Sequence, residues 1–299
     1  MGVKPTTKLR RLLADKLVEA PGAQDAFTAR LVEIADFEAV YLSGLTNAAA
    51  AIARPDLSFM SLTERLQIAR NVVNAVDIPV IADAEEGYGN AVNVMDTIRK
   101  YEQTGIAGCH IDDELFPCRC AFLPGIPKNE VISVEQMCGK VAAAVEARQD
   151  PDFVIIARTN LIGTVSKDEF TAGNMIEQAI ERVQAYLDAG ADMAFLYCVT
   201  VDQLKRGAEK IKGPLMTLGA DSERTYGELF PAQIFTDLGY RLIIYPLATL
   251  YTGAYGVLEG LKSYRQAGSW QNAKRISKET FDGIVRTSDY APLYEKFRI

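Results

Sequence analysis

The chain of 299 residues carries 32 basic and 39 acidic side chains, a formal net charge of −7, and 48% hydrophobic residues, enough apolar material for a sizeable core. No basic cluster follows a phosphate backbone, which argues against a nucleic-acid partner. The first residues lack the apolar core of a secretion signal, and the greasiest stretch, 242–261, is broken by Pro246, three glycines and Glu259, so no membrane association is expected.

Taken in chain order, short apolar runs predict strands at 17–20, 39–42, 79–83, 107–111, 153–158, 193–197, 214–218 and 241–245. Amphipathic stretches predict helices at 26–35, 61–76, 91–103, 133–148, 175–189, 201–211, 231–238 and 247–266. Eight such alternations predict an α/β fold, a (β/α)8 TIM barrel. We read residues 1–299 as one barrel domain with 270–299 as a C-terminal helical extension. Gly105, Gly190 and Gly239 each follow a helix and precede a strand, the position of a left-handed C-cap. A doubly wound sheet alternates in the same way, but the turn Gly87-Tyr88-Gly89 lacks the third glycine of a dinucleotide fingerprint.

Five cysteines, Cys109, Cys118, Cys120, Cys138 and Cys198, fit reduced thiols of a cytoplasmic protein better than a disulfide scaffold. The single histidine, His110, leaves too few ligands for structural zinc.

In a barrel the active site lies at the C-terminal strand ends, which carry Ser43, Asp83, Glu85, Asp112, Glu114, Arg158 and Thr159. Residues two apart on a strand share a face, so Asp83 and Glu85 point together, as do Asp112 and Glu114. Like charges so placed repel unless a cation lies between them. An acidic half facing Arg158 suits a metal chelated by an anionic substrate. His110 shares the parity of Asp112 one layer deeper, as a hydrogen-bonded core histidine would.

The ordered motifs are Ala20-Pro-Gly-Ala-Gln-Asp-Ala26, Tyr41-Leu-Ser-Gly44, Arg54-Pro-Asp-Leu57, Asp83-Ala-Glu-Glu-Gly-Tyr-Gly89, Ile111-Asp-Asp113, Ala157-Arg-Thr159 and Gly239-Tyr-Arg-Leu-Ile-Ile-Tyr-Pro246. Together they resemble the isocitrate lyase and phosphoenolpyruvate mutase superfamily, above all its short methylisocitrate lyase, dimethylmalate lyase and oxaloacetate-cleaving members. The resemblance implies that Asp83 binds Mg2+ directly, with Mn2+ as its substitute, and that Asp56, Glu85 and Asp112 hold its water ligands. Backbone amides near Ser43, Gly44 and Leu45 would cradle the carboxylate of a 2-hydroxy or 2-oxo acid, and Arg158 would fork its oxygens. Cys120 falls on the family's catalytic cysteine, the acid that protonates the departing carbon, and Tyr41 is the candidate base for the 2-hydroxyl proton.

Departures are equally plain. The loop lysine, glycine and histidine of the family are here Cys118, Ala121 and Phe122. Strand ends that commonly carry a glutamate and an asparagine carry Tyr197-Cys198 and Leu218, so the distal substrate pocket is expected to be less polar and isocitrate is disfavoured. The implied activity is Mg2+-dependent retro-aldol cleavage of a small 2-hydroxy or 2-oxo acid to pyruvate or glyoxylate plus a carboxylic acid. The rivals are hydrolysis or decarboxylation of an oxaloacetate-like acid, phosphonopyruvate chemistry, and a non-catalytic barrel. The resemblance also implies a homotetramer that exchanges a terminal helix.

Overall fold

The computed structural model describes residues 2–120, 123, 125–172, 174–220 and 229–298. In chain order the elements are α1 (Pro5–Asp15), β1 (Val18–Pro21), α2 (Ala26–Ile34), β2 (Val40–Leu42), α3 (Gly44–Ile52), α4 (Leu62–Val73), β3 (Val80–Asp83), α5 (Ala91–Thr104) and β4 (Gly108–Asp112). There follow α6 (Val134–Ala147), β5 (Val154–Thr159), a 3-10 turn (Leu161–Thr164), α7 (Lys167–Ala172), α8 (Met175–Asp188), β6 (Met193–Leu196), α9 (Val201–Lys210) and β7 (Leu215–Leu218). The chain ends with α10 (Gln233–Asp237), β8 (Leu242–Tyr245), α11 (Ala248–Ala267), α12 (Lys278–Ile284) and α13 (Thr287–Phe297).

Eight strands pair in parallel in the order β1-β8-β7-β6-β5-β4-β3-β2. The two ends of this ribbon meet at a parallel bridge between Gly22 and Tyr41, with Ala23 N donating to Tyr41 O at 2.8 Å. The ribbon is thereby a (β/α)8 barrel. Gly22 sits where a Cβ would lie 2.5 Å from Pro246 O, so a larger residue would push β1 and β8 apart.

Capping sets the helix starts. Ser61 with Glu64, Asn90 with Asn93, and Ser133 with Gln136 form reciprocal capping boxes at α4, α5 and α6. Gly105 (φ 87°), Gly190 (φ 110°) and Gly239 (φ 78°) are left-handed at the helix ends, as expected.

Helices α1, α3 and α7 fall outside the strand-and-helix periodicity. Helix α1 covers the N-terminal face of the barrel through Leu9 and Leu13, and Arg10 ties it to Phe153 O and Asp192. Helix α3 starts at a glycine and runs through Asn47-Ala-Ala-Ala-Ala-Ile52, which has no amphipathic alternation to read.

After β8 the packing changes. Helix α11 has no buried residue along its 20-residue length, although it carries Tyr251, Tyr255, Val257, Leu258, Leu261 and Tyr264. Helix α12 instead returns to α2, where Phe281 meets Phe27 at 6.2 Å between ring centroids and Arg30 donates to Ile284 O. No helix among the described residues is long and apolar enough to cross a membrane.

Strand parity sends Asp112 inward and its neighbour Asp113 outward, into the helix layer. Asp113 is fully buried and accepts from Thr159 Oγ1 (2.7 Å), Asn160 N (2.8 Å), Arg182 Nε (2.9 Å) and Tyr186 OH (2.7 Å). The carboxylate therefore locks α8 onto the ends of β4 and β5. Asp113→Ala should destabilise the fold by about 3–5 kcal/mol, because it leaves the Arg182 guanidinium uncompensated. A urea-unfolding midpoint unchanged from the parent chain would refute this account of the lock.

Candidate active site

Two inward layers build the barrel mouth. Deepest are Phe195 of β6 and His110 of β4, edge to face at 5.4 Å, with Tyr41 of β2 stacked on the imidazole at 5.9 Å. Above them lie the acids at the ends of β3 and β4. The cavity over this floor is lined by Tyr41, Ser43, Leu45, Asp56, Asp83, Glu85, Asp112, Glu114, Cys118, Arg119, Cys120, Arg158, Asn160, Tyr197, Leu218, Ile244, Pro246 and Leu247. The site residues singled out in the sequence therefore reach one cavity, except Gly44, which supports it from behind, and Thr159, which turns toward Asp113.

Asp83 is the most tightly oriented acid. Its Oδ2 accepts from Gly44 N at 3.1 Å and its Oδ1 from Glu85 N at 2.9 Å. A Cβ on Gly44 would lie 2.9 Å from Asp83 Oδ2 and 2.7 Å from Glu85 Oε1, so only glycine lets β2 approach the acids this closely. The amide of Gly44 is thus engaged by Asp83. Ser43 likewise serves α3 as its N-cap, facing Thr46 N. Leu45, on the first turn of α3, remains on the cavity wall, where amides at a helix start favour an anion.

Glu85 takes up a left-handed backbone, φ 51°, which turns its carboxylate toward Arg65. That guanidinium, 4% exposed, bonds Glu85 Oε1 at 2.5 Å, donates to Gly44 O at 2.6 Å and lies 3.9 Å from Asp56. Asp112 Oδ2 meets Arg158 Nη1 at 3.2 Å and accepts from Asn160 Nδ2 at 2.6 Å. Glu114, which shares the facing of Asp112, is 4% exposed and accepts from Asn129 Nδ2 at 2.6 Å. Thr159 points away from the cavity, toward Asp113.

The charges do not balance. Asp56, Asp83, Glu85, Asp112 and Glu114 converge on a buried cavity, and the guanidiniums in contact with them are Arg65 and Arg158. Burial and the nearby Asp83 push the Asp56 carboxyl up to about 6. Burial, with Asp83 beside Glu85 and Asp112 beside Glu114, raises those two carboxyls well above the usual range. Asp83 is the exception: burial acts to raise it, but His110, Arg158 and Arg65 together hold it low. Such a cluster is stabilised by a divalent cation, and its oxygen-only donors suit a hard one.

His110 is close enough to Asp83 and Asp112 to complete a three-residue ligand group. Its two ring nitrogens are otherwise occupied, however: Nδ1 lies 2.7 Å from Asp112 Oδ1 and Nε2 lies 2.8 Å from Tyr41 OH. We therefore leave the cation to the carboxylates. Among the described residues, Arg158 Nε and Asn160 Oδ1 are buried without a hydrogen-bond partner, as groups awaiting a polar ligand would be.

Arg158 is held flat, its Cζ 4.7 Å from the Phe195 ring centroid and 5.7 Å from that of Tyr197. Tyr197, Leu218, Ile244, Pro246 and Leu247 form a largely apolar wall. On the opposite rim Cys120 N donates to Asp56 O at 3.1 Å, joining the cysteine segment to the loop that bears an acid of the cluster. Ala121 and Phe122, which replace the family's glycine and histidine, lie outside the described residues.

Sequence reasoning missed Arg65, Asn129 and Asn160. Arg65 lies within a helix with an ordinary polar pattern, and only its burial among acids marks it. Asn160 directly follows the strand end already singled out at Arg158, a signal that could have been used.

Residues 9–262 match the model of the phosphoenolpyruvate phosphomutase family. The chain is 38% identical over 254 residues to 2,3-dimethylmalate lyase of Eubacterium barkeri, covering 84% of this chain and 83% of that protein. It is 38% identical over 298 residues to the probable 2-methylisocitrate lyase 2 of Corynebacterium glutamicum, covering 96% and 91%. Among solved structures, phosphonopyruvate hydrolase in complex with oxalate and Mg2+ superposes with a TM-score of 0.84 at 27% identity, covering 99% of this chain and 100% of the other. With this match spanning the barrel and every residue described at its mouth, the chain belongs to the phosphoenolpyruvate phosphomutase family, within the superfamily that its strand-end motifs resemble.

Proposed function

We propose that the protein is a Mg2+-dependent carbon–carbon lyase that cleaves a small 2-hydroxy acid to a 2-oxo acid, pyruvate or glyoxylate, and a carboxylic acid. The observation that carries this reading is a proton acceptor and a proton donor on one carboxylate-ringed cavity: the Tyr41–His110–Asp112 chain of hydrogen bonds on the floor and Cys120 on the rim. The named lyase activities of the two relatives support the same class. Mg2+, which prefers oxygen ligands and retains waters, would be held by Asp83, with Glu85, Asp56 and Asp112 around it. When bound it supplies charge stabilisation for the 2-oxygen and the adjoining carboxylate of the substrate.

The remaining steps belong to the chain itself. Arg158, flat against Phe195 and already paired with Asp112, presents a planar donor to substrate oxygens. Burial and Asp83 raise the Tyr41 phenol well above its usual range, so Tyr41 works as a relay. Its oxygen takes the 2-hydroxyl proton while its own proton passes to His110 Nε2, and Asp112 faces the resulting imidazolium through Nδ1. As the C2–C3 bond breaks, its electron pair moves onto C3, beside the departing carboxylate, and the Cys120 thiol gives C3 a proton. The largely apolar wall of Tyr197, Leu218, Ile244, Pro246 and Leu247 suits an alkyl substituent at the distal end better than the additional carboxylate of isocitrate.

We also read the chain as a single cytoplasmic barrel domain acting as a homotetramer. Tyr255 (68% exposed) and Val257 (63%) on α11 form part of an apolar surface that a second copy of the chain would cover.

With Mg2+, a panel of alkylmalates should release a 2-oxo acid, and chelation with EDTA should abolish the release reversibly. Turnover confined to oxaloacetate or phosphonopyruvate would replace the lyase reading, and no turnover with no Mg2+ binding would sink the enzyme. Cys120→Ser should lower kcat by about 10²-fold or more, with KM little changed; an undiminished rate would favour decarboxylation or hydrolysis. Light scattering should give about four times the chain mass of 32.8 kDa, and a monomer at micromolar concentration would contradict the oligomer.

A further inference from the structure

Cys118 has no part in the chemistry assigned to Cys120, yet it is 5% exposed and fully engaged. Its Sγ donates to Glu86 Oε2 at 2.8 Å, and its carbonyl oxygen accepts from Ser58 Oγ at 2.9 Å. Glu86, 3% exposed, is anchored through its own carbonyl by Lys140 Nζ at 2.7 Å. Two more bonds fasten the next residues: Asn129 Nδ2 donates to Arg119 O at 2.6 Å and Cys120 N to Asp56 O at 3.1 Å.

Ser58 adds an independent observation. Its φ is 57°, in the left-handed region that glycine adopts freely and serine does not. A serine at this backbone is strained, and what its side chain does with that placement is hold the Cys118 carbonyl. Burial and the neighbouring Glu86 push the Cys118 thiol far up, which keeps it a hydrogen-bond donor and not a nucleophile.

We propose that Cys118 and Ser58 are positioning residues, a two-point latch that clamps the segment 118–120 between Glu86 and the Asp56–Ser58 loop and so sets the Cys120 thiol over the substrate. The latch is a matter of geometry; its kinetic consequence rests on Cys120 being the proton donor. Because the clamping loop also carries Asp56, the latch joins the placement of the acid to that of the metal-facing carboxylates.

The test uses the full chain with Mg2+ and two variants that break the latch at different points, Ser58→Gly and Cys118→Ala. Ser58→Gly relieves the backbone strain, so it folds. Iodoacetamide labelling of Cys120, mapped by peptide mass, should accelerate about tenfold in each variant, the scale set by losing one hydrogen bond. With the best 2-hydroxy acid, kcat should fall about tenfold with KM within about twofold. Cys118→Ser, which keeps a donor at that position, should restore both.

Unchanged labelling in both variants overturns the proposal. So does a change that follows a loss of thermal stability and is not rescued by Cys118→Ser, since that would mark a merely structural role. If Cys120→Ser is fully active, the acid role falls with the functional reading, and the labelling rates alone decide the latch.

Discussion

Mutual repulsion among five buried carboxylates is the constraint around which the barrel mouth is organised. Asp83, Glu85, Asp112, Glu114 and Asp56 share one cavity, and the guanidiniums in contact with them are Arg65 and Arg158. A set of acids so crowded is costly to keep ionised away from water. The surrounding residues temper that cost without removing it: Arg65 is buried against Glu85, Gly44 lends an amide to Asp83, and Asn160 and Asn129 cover Asp112 and Glu114. What remains uncompensated is the driving force for holding a cation.

The floor beneath the acids sharpens this effect. Phe195, Tyr41 and His110 are almost fully buried, and the low dielectric of such a floor strengthens the charge interactions above it. Within that layer His110 links Tyr41 to Asp112 in a single file of hydrogen bonds. One acid thus has two duties: Asp112 meets Arg158 and Asn160 with Oδ2 and orients the imidazole with Oδ1. Asp56 is similar, its carboxylate in the acidic ring and its carbonyl under the Cys120 amide.

Backbone strain occurs at the same place, as it does at Asp36, Ala53, Arg286 and Arg298. Glu85, Tyr88 and Ser58 hold positive φ, each within or beside the two loops that frame the acids. Non-glycine residues stay in that region only where the surroundings over-determine them, and here the surroundings are Arg65, the packed turn after β3 and the carbonyl of Cys118.

The alternation of apolar runs with amphipathic stretches and C-cap glycines was sufficient for the barrel, because strand and helix periods are local properties of the chain. Strand parity likewise separated the inward acids from their outward neighbours at the ends of β3 and β4, and so placed Asp83, Glu85 and Asp112 on one cavity. Loop residues obey no such period: Asp56 was placed by resemblance alone, and nothing in the spacing pointed to the contacts of Cys118 with Glu86 and Ser58. Arg65, Asn160 and Ser58 acquire their roles only through contacts across 20, 48 and 60 residues of chain respectively. Helix α11 is similar, for its composition reads as an ordinary barrel helix and only the fold reveals that none of its residues is buried. Residue spacing along the chain thus determined the barrel and the face on which the acids lie. Tertiary structure alone decided their partners, since a buried charge is compensated by whatever the folded chain brings within hydrogen-bonding distance.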